Sequence, residues 1–346
     1  MKPRIFFTSL LALILLLSAC RRDDPLREDW LIPVEQVQDG GPGKDGIPSV
    51  DNPQFDLASA VTYLNDEDLV LGIQVGDEIR AYPHPVLDWH EIVNDQVGDL
   101  AVAITYCPLT GTGIGWSRNV NGARTTFGVS GLLYNSNLIP YDRATDSNWS
   151  QMRLECVNGD LSGSRPELIP LVETTWGTWK KMFPNAQVMT TNTGFSRSYG
   201  QYPYGDFRTS SRLIFPVQPM DGRLPTKERV LGIVADEDAK VYRFSTFDYG
   251  PNGRALIRDT YAGQDYWVVA SEDENFIIAF RAGSKNLSLV EGVGTALLQD
   301  EDGNQYNCFG QVISDGTGVE ALELSPAFIG YWFSWGAFYP GVNIYE

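Results

Sequence analysis

Part of this chain is written twice. Val70-Leu71-Gly72-Ile73 returns as Val230-Leu231-Gly232-Ile233, and Arg80-Ala81-Tyr82 returns in kind as Lys240-Val241-Tyr242, both at an offset of 160 residues. Ala101-Val102-Ala103 resembles Val268-Val269-Ala270. Trp179 with Phe183-Pro184 matches Trp335 with Tyr339-Pro340 at an offset of 156. Collinear matches at a nearly constant offset mark a duplicated unit, and overlooking one mis-assigns the whole fold. The expected organisation is a first copy over residues 51–190, a connector over 191–227 and a degenerate second copy over 228–346.

Within each copy the apolar residues alternate over short runs. Residues 69–75 and 79–82 read as a hairpin closed at Gly76-Asp77, and 101–106, 113–117 and 125–129 read as further strands. Residues 174–182 have helical spacing, and 331–338 should be their counterpart. The fold class expected is β-rich α+β: a duplicated, mainly antiparallel β unit with one helix per copy.

The N-terminus reads as an address. After Met1-Lys2-Pro3-Arg4, residues 5–19 are apolar and uncharged, and they end in Leu17-Ser18-Ala19-Cys20. The run is short for a membrane span and has the flanks of a signal peptide. Leu-Ser-Ala-Cys is the bacterial lipobox pattern. It predicts a lipoprotein signal peptide over 1–19, acylation at Cys20, and a protein held to the cell-envelope membrane, periplasmic or surface-facing. Several acyl chains anchor stably where one does not. Residues 20–50 would form the tether, with 44–48 packing on the body. Acidic residues outnumber basic ones 44 to 26, a net charge of −18, which argues against nucleic acid as a partner.

The copies differ where reactive side chains occur. The chain has two histidines, His84 and His90, both shortly before Cys107 and neither repeated in the second copy. Imidazole offers a proton shuttle near neutral pH or a metal ligand. A thiol becomes a nucleophile or soft ligand when deprotonated.

Several stretches resemble the prokaryotic family catalogued as domain of unknown function 3179: Trp89-His90-Glu91-Ile92-Val93-Asn94-Asp95, Tyr106-Cys107-Pro108-Leu109, the run 127–136, Tyr141-Asp142-Arg143, Ser147-Asn148-Trp149-Ser150-Gln151, and the upstream Gly-Gly-Pro-Gly-Lys-Asp-Gly-Ile-Pro. The resemblance runs from about residue 38 to the C-terminus. It implies a secreted or lipid-anchored envelope protein and brings no particular activity with it. Many members that the chain resembles read Cys-Pro-Leu-Cys. Here Thr110 takes the second cysteine's place, which rules out a dithiol cycle at this point.

Three readings follow. In the first, Cys107 is a nucleophile for acyl transfer or hydrolysis. His90 is its base, Glu91, Asn94 or Asp95 orients the imidazole, and Ser130, Tyr141, Asp142, Trp149 and Gln151 shape the pocket. In the second, Cys107, His90 and His84 bind copper or zinc, with His84 and His90 on one face of an extended segment. In the third, the chain is a non-catalytic module that holds a peptide or glycan between its copies, rimmed by the connector's Arg197, Tyr199, Tyr202, Tyr204 and Arg208. The absence of a Walker loop and of a GxGxxG opening a helix gives nucleotide binding no support. A Cys156–Cys308 disulfide would clamp the copies together. Asp300-Glu301-Asp302-Gly303-Asn304 lacks the EF-hand spacing and reads as a solvated turn.

Overall fold

Gly76 takes the left-handed backbone conformation (φ +57°) that a two-residue hairpin requires, and it folds Leu69–Val75 (β1) back on Glu78–Pro83 (β2). The fold is described from a computed structural model covering residues 30–292, 294–313 and 318–346; Cys20 and the expected signal peptide lie outside the described residues. The chain then forms a short helix, His84–His90 (α1), and a meander of Ile92–Val97 (β3), Leu100–Cys107 (β4) and Thr112–Ser117 (β5). Next come Phe127–Tyr134 (β6), Asn137–Asp142 (β7), Asn148–Ser150 (β8) and Glu155–Asn158 (β9), one antiparallel sheet. The first half closes with Val172–Thr175 (β10), Trp176–Met182 (α2) and Gln187–Met189 (β11).

The second half follows the same path. Arg229–Ala235 (β12) and Asp238–Arg243 (β13) form a hairpin, with Asp236 at φ +54° in the place of Gly76. Arg254–Tyr261 (β14), Gln264–Ser271 (β15) and Phe276–Arg281 (β16) form the meander. Phe328–Tyr331 (β17), Trp332–Phe338 (α3) and Asn343–Ile344 (β18) close it. The molecule is β-rich α+β, with three short α-helices among the described residues.

The registers agree residue for residue. β11 pairs parallel to β2 with Gln187 opposite Arg80, and β18 pairs parallel to β13 with Asn343 opposite Lys240. β10 sets Val172 opposite Gly72, and β17 sets Phe328 opposite Gly232. At both glycines a Cβ would overlap an indole, Trp179 in one half and Trp335 in the other, so each Gly lets a helix lie directly on its hairpin. Tyr82 donates to Asp95 at 2.6 Å and Tyr242 to Asp259 at 2.8 Å. Arg80 pairs with Asp95, and Lys240 with Asp259. This places Asp259 opposite Asp95, an offset of 164, and corrects the match of Ala101-Val102-Ala103 by three residues. Runs of small apolar residues match at several registers, but an odd slip would turn every side chain to the wrong face.

The halves share their cores. One cluster joins Cys107, Trp149, Phe207, Trp332 and Trp335; another joins Trp179, Phe183, Phe276 and Cys308. Each half also reaches into the other's meander turn. The Tyr331 amide donates to Thr110 O at 2.8 Å, and the Thr174 hydroxyl donates to Glu274 O at 2.5 Å.

Four expectations need correction. The first half carries two helices, since α1 stands where the second half has a single 3-10 turn, Phe244–Thr246. His84 and His90 lie on that helix, not on an extended segment, so six residues put them on different faces. Cys156 and Cys308 are free thiols buried in separate cores and form no clamp. The tether is docked from its described start, because Ile32 is buried and Val37–Asp39 pairs with β6.

Candidate functional site

α1 is short because proline brackets its start and its end departs sharply from helical geometry. Pro83 is the N-cap and Pro85 sits in the first turn, where a missing N–H costs nothing. Glu91 closes the helix at φ +56°, its amide bonded to Leu87 O. One helical turn sets His84 and Asp88 on one face. His90 and Glu91 point elsewhere, and a cavity lies on either side of the helix.

The first is a cleft of about 310 Å³ at the junction of the two halves. His84, Tyr106 and Glu173 come from the first half, Arg208 from the connector, and Arg229 and Tyr331 from the second half. His84 is 3 % exposed, and its ring lies 4.3 Å, centroid to centroid, from that of Tyr106. Its Nε2 stands 3.2 Å from Glu173 Oε2 but off hydrogen-bond geometry, so both buried atoms lack a hydrogen-bond partner within the protein. Arg229 holds the other carboxylate oxygen. Burial pushes His84 below its ordinary value, beyond what Glu173 restores. Burial alone would raise Glu173, but Arg229 and His84 hold it below the usual carboxylate range. At neutral pH the cleft therefore sets a neutral imidazole beside an ionised carboxylate. Asp88 lies on the same face, 2.6 Å from Arg208, and burial still raises its carboxyl to about 7.

The second cavity, about 470 Å³, lies under the connector and the 40–47 segment, with Glu91, Trp89, Leu109 and Tyr204 in its walls. Cys107 is 1 % exposed, and its Sγ contacts Ser136 O at 3.6 Å. Burial, with the Glu91 charge added, pushes the thiol up to about 11, so it is protonated at neutral pH. His90 is not available to it. Its Nδ1 lies 2.7 Å from Pro48 O and its Nε2 2.6 Å from the Tyr199 hydroxyl. The carbonyl accepts only, so Nδ1 carries the proton and Nε2 accepts from Tyr199. Asn94 does not orient the ring either; its amide bonds Asp51 Oδ1, Phe127 O and the Phe127 amide. With Cys107, His84 and His90 apart, no group of three or more His, Cys, Asp or Glu among the described residues is placed to hold a metal ion.

The model of the family described as "Protein of unknown function (DUF3179)" matches residues 44–342, most of the chain. The chain belongs to that family. No curated protein and no solved structure matches it. In this DUF3179 chain the matched span covers both halves, the connector and both cavities.

The five residues expected to shape a pocket fasten the β6–β9 sheet, and they line neither cavity of this DUF3179 chain. The Ser130 hydroxyl bonds Ile139 O and the Leu132 amide across a bulge in β6. Tyr141 donates to Asp45 at 2.5 Å. Asp142 accepts from the Trp149 indole at 3.1 Å and from Thr145. Gln151 joins Thr105, Thr112 and Asn137 in a buried amide–hydroxyl network, and Asn137 also donates to Thr110. Thr110 is thus a structural anchor where a CxxC would carry its second thiol. Asp300 accepts from Tyr306 and Asn304 and pairs with Lys285, which closes its turn.

Glu173 and Arg229 were not foreseen as site residues. Glu173 had a readable signal: it is a carboxylate in a strand whose counterpart at the matched register, Ile329, is apolar. Arg229 had none, because its pairing depends on how the halves dock.

Proposed function

We propose that this chain is a lipid-anchored envelope protein that binds a small hydroxylated ligand, of the saccharide or polyol class, in the cleft between its halves. The observation that carries the reading is the cleft at the junction of the halves, into which His84, Glu173, Arg208 and Arg229 bring polar side chains. A ligand hydroxyl suits this lining, because it can both donate to a carboxylate and accept from a guanidinium. Tyr106 and Tyr331 supply aromatic wall, and the volume lies at the lower end of the range for small-molecule pockets, roughly 300–1,000 Å³. The raised thiol of Cys107 and the saturated ring of His90 favour binding over thiol chemistry.

The anchor rests on the lipobox ending in Cys20, and among the described residues no helix is long and apolar enough to cross a membrane. The two halves are read as copies of one ancestral unit, supported by their paired registers, the Gly–Trp contacts and the Tyr–Asp pairs. Labelled palmitate should enter the wild-type protein and be lost in Cys20→Ala.

Calorimetry of the full-length protein in detergent against neutral mono- and disaccharides tests the cleft. At least one should bind saturably and weaken about 10- to 100-fold in Glu173→Gln, the loss of one charge-assisted hydrogen bond of roughly 1.5–3 kcal/mol. His84→Phe, which installs the residue type of Phe244 at the matching position, should weaken it likewise while preserving the melting temperature. No saturable saccharide binding overturns the reading.

A further inference from the structure

Three carboxylates are buried on or beside α1, Asp88, Glu91 and Glu173, and Asp88 is paired with Arg208. Glu173 is paired with Arg229. Glu91, 5 % exposed, accepts a hydrogen bond from the Tyr204 hydroxyl at 3.3 Å, and no Lys, Arg or His among the described residues forms an ion pair with it. A buried carboxylate without a counter-charge is costly to keep. Glu91 also lines a cavity of about 470 Å³ whose wall is mostly apolar and includes the rings of Trp89, Tyr204 and Phe215. Arg197, on the same wall, donates to its neighbour's carbonyl, Ser196 O, and lies 5.9 Å from the Phe195 ring centroid.

We propose that this second cavity binds a small organic ammonium ion, its cation pairing with Glu91 and its alkyl groups lying among the rings of Trp89, Tyr204 and Phe215. Aromatic rings around a carboxylate suit an alkylated cation, because both the charge and the apolar body find partners. A metal ion is the poorer fit, since no set of three ligating side chains converges there among the described residues. The site is separate from the saccharide cleft and does not depend on it.

The groups facing Glu91 are Asp88 on α1, the Cys107 thiol at the end of β4, and Tyr204 and Arg197 on the connector. Burial raises the Glu91 carboxyl to about 7. Below that pH it is neutral and the ligand loses its counter-ion; above it the carboxylate is present.

The test titrates choline, tetramethylammonium and the neutral isostere 3,3-dimethylbutan-1-ol into the full-length protein, followed by calorimetry and tryptophan fluorescence. At pH 8 the two cations should bind saturably and the isostere at least tenfold more weakly. Cation affinity should fall about tenfold or more at pH 5.5 and in Glu91→Gln. Ile214→Trp alters a lining side chain that is 42 % exposed, so it should block entry in a folded protein and abolish binding. Glu173→Gln should leave cation binding unchanged, which keeps a failure here distinct from a failure of the cleft. Equal binding of the isostere, an unchanged affinity in a folded Glu91→Gln, or no saturable cation binding overturns the proposal.

Discussion

In the second half of the molecule Arg254, 2 % exposed, sends a two-pronged ion pair to Glu274, at 2.6 and 2.8 Å. The matching places in the first half hold His90 and Thr110, and Cys107 stands where the second half has Ser271. One meander is thus tied by a buried ion pair, whereas the other carries an uncharged imidazole, a thiol and a threonine. Over the first meander α1 rises in place of a single 3-10 turn, with cavities on both its sides. What the halves share is the frame: the hairpin, the Gly–Trp contact and the Tyr–Asp pair. What they do not share surrounds the cavities. The difference teaches that this frame tolerates either a buried ion pair or a set of uncharged side chains at the same turn.

The largest expected effect breaks the buried ion pair. Arg254→Met leaves Glu274 buried and uncompensated, and should cost about 3–5 kcal/mol in denaturant unfolding. Arg254→Met with Glu274→Leu should recover most of it, because two apolar residues replace the pair at little net cost. A single variant costing under about 1 kcal/mol would mean that the pair does not hold the second meander.

Next in size is a contrast between two buried carboxylates. Folded Glu91 keeps its proton to about pH 7, whereas the unfolded chain releases it near 4.5. A raised carboxyl makes stability fall as pH rises through that window. Glu91→Gln should therefore stabilise the protein at pH 8, by on the order of 2–3 kcal/mol at most, with the gain gone by pH 4.5. Glu173 is held low, so its contribution is present above its ordinary value and lost on acidification. Glu173→Gln should destabilise at pH 8, and pH-dependent melting of both variants gives the opposite signs directly.

Smaller effects test the frame. Gly72→Ala and Gly232→Ala each drive a methyl into an indole and should cost about 1–3 kcal/mol, by similar amounts. A marked inequality would separate halves whose registers agree.

The sequence was most legible where short-range rules apply. The turn at Gly76-Asp77, the helices at 176 and 332, and the like settings of Gly72 and Gly232 follow from alternation, turn chemistry and the recurring Val-Leu-Gly-Ile. The offset near residue 101 was ambiguous because small apolar residues carry little register information, and only the Tyr82–Asp95 and Tyr242–Asp259 bonds set it. The candidate dyad was legible as chemistry and not as geometry. Cys107 and His90 are the residue types a thiol enzyme needs, but their chain spacing cannot reveal that Pro48 and Tyr199, 42 and 109 residues from His90, take both ring nitrogens. Glu173 and Arg229 meet only through docking of the halves, which no local pattern records.

The smallest effect concerns Cys107, and it separates the binding reading from thiol chemistry. The thiol is buried, pushed up to about 11, and lies 3.6 Å from Ser136 O. Replacing it by Ser keeps a donor for that carbonyl, and Ser271 already serves in the matching place, where its hydroxyl accepts from the Glu274 amide at 3.2 Å. Cys107→Ser should therefore cost about 1 kcal/mol, within the range of ordinary point changes, and leave saccharide and cation binding unchanged. Iodoacetamide at pH 8 should modify Cys107 only as fast as the protein opens, with the rate following global stability. Fast alkylation of the native protein that slows in His90→Gln would show an activated thiolate, and would return the first half's turn to catalysis.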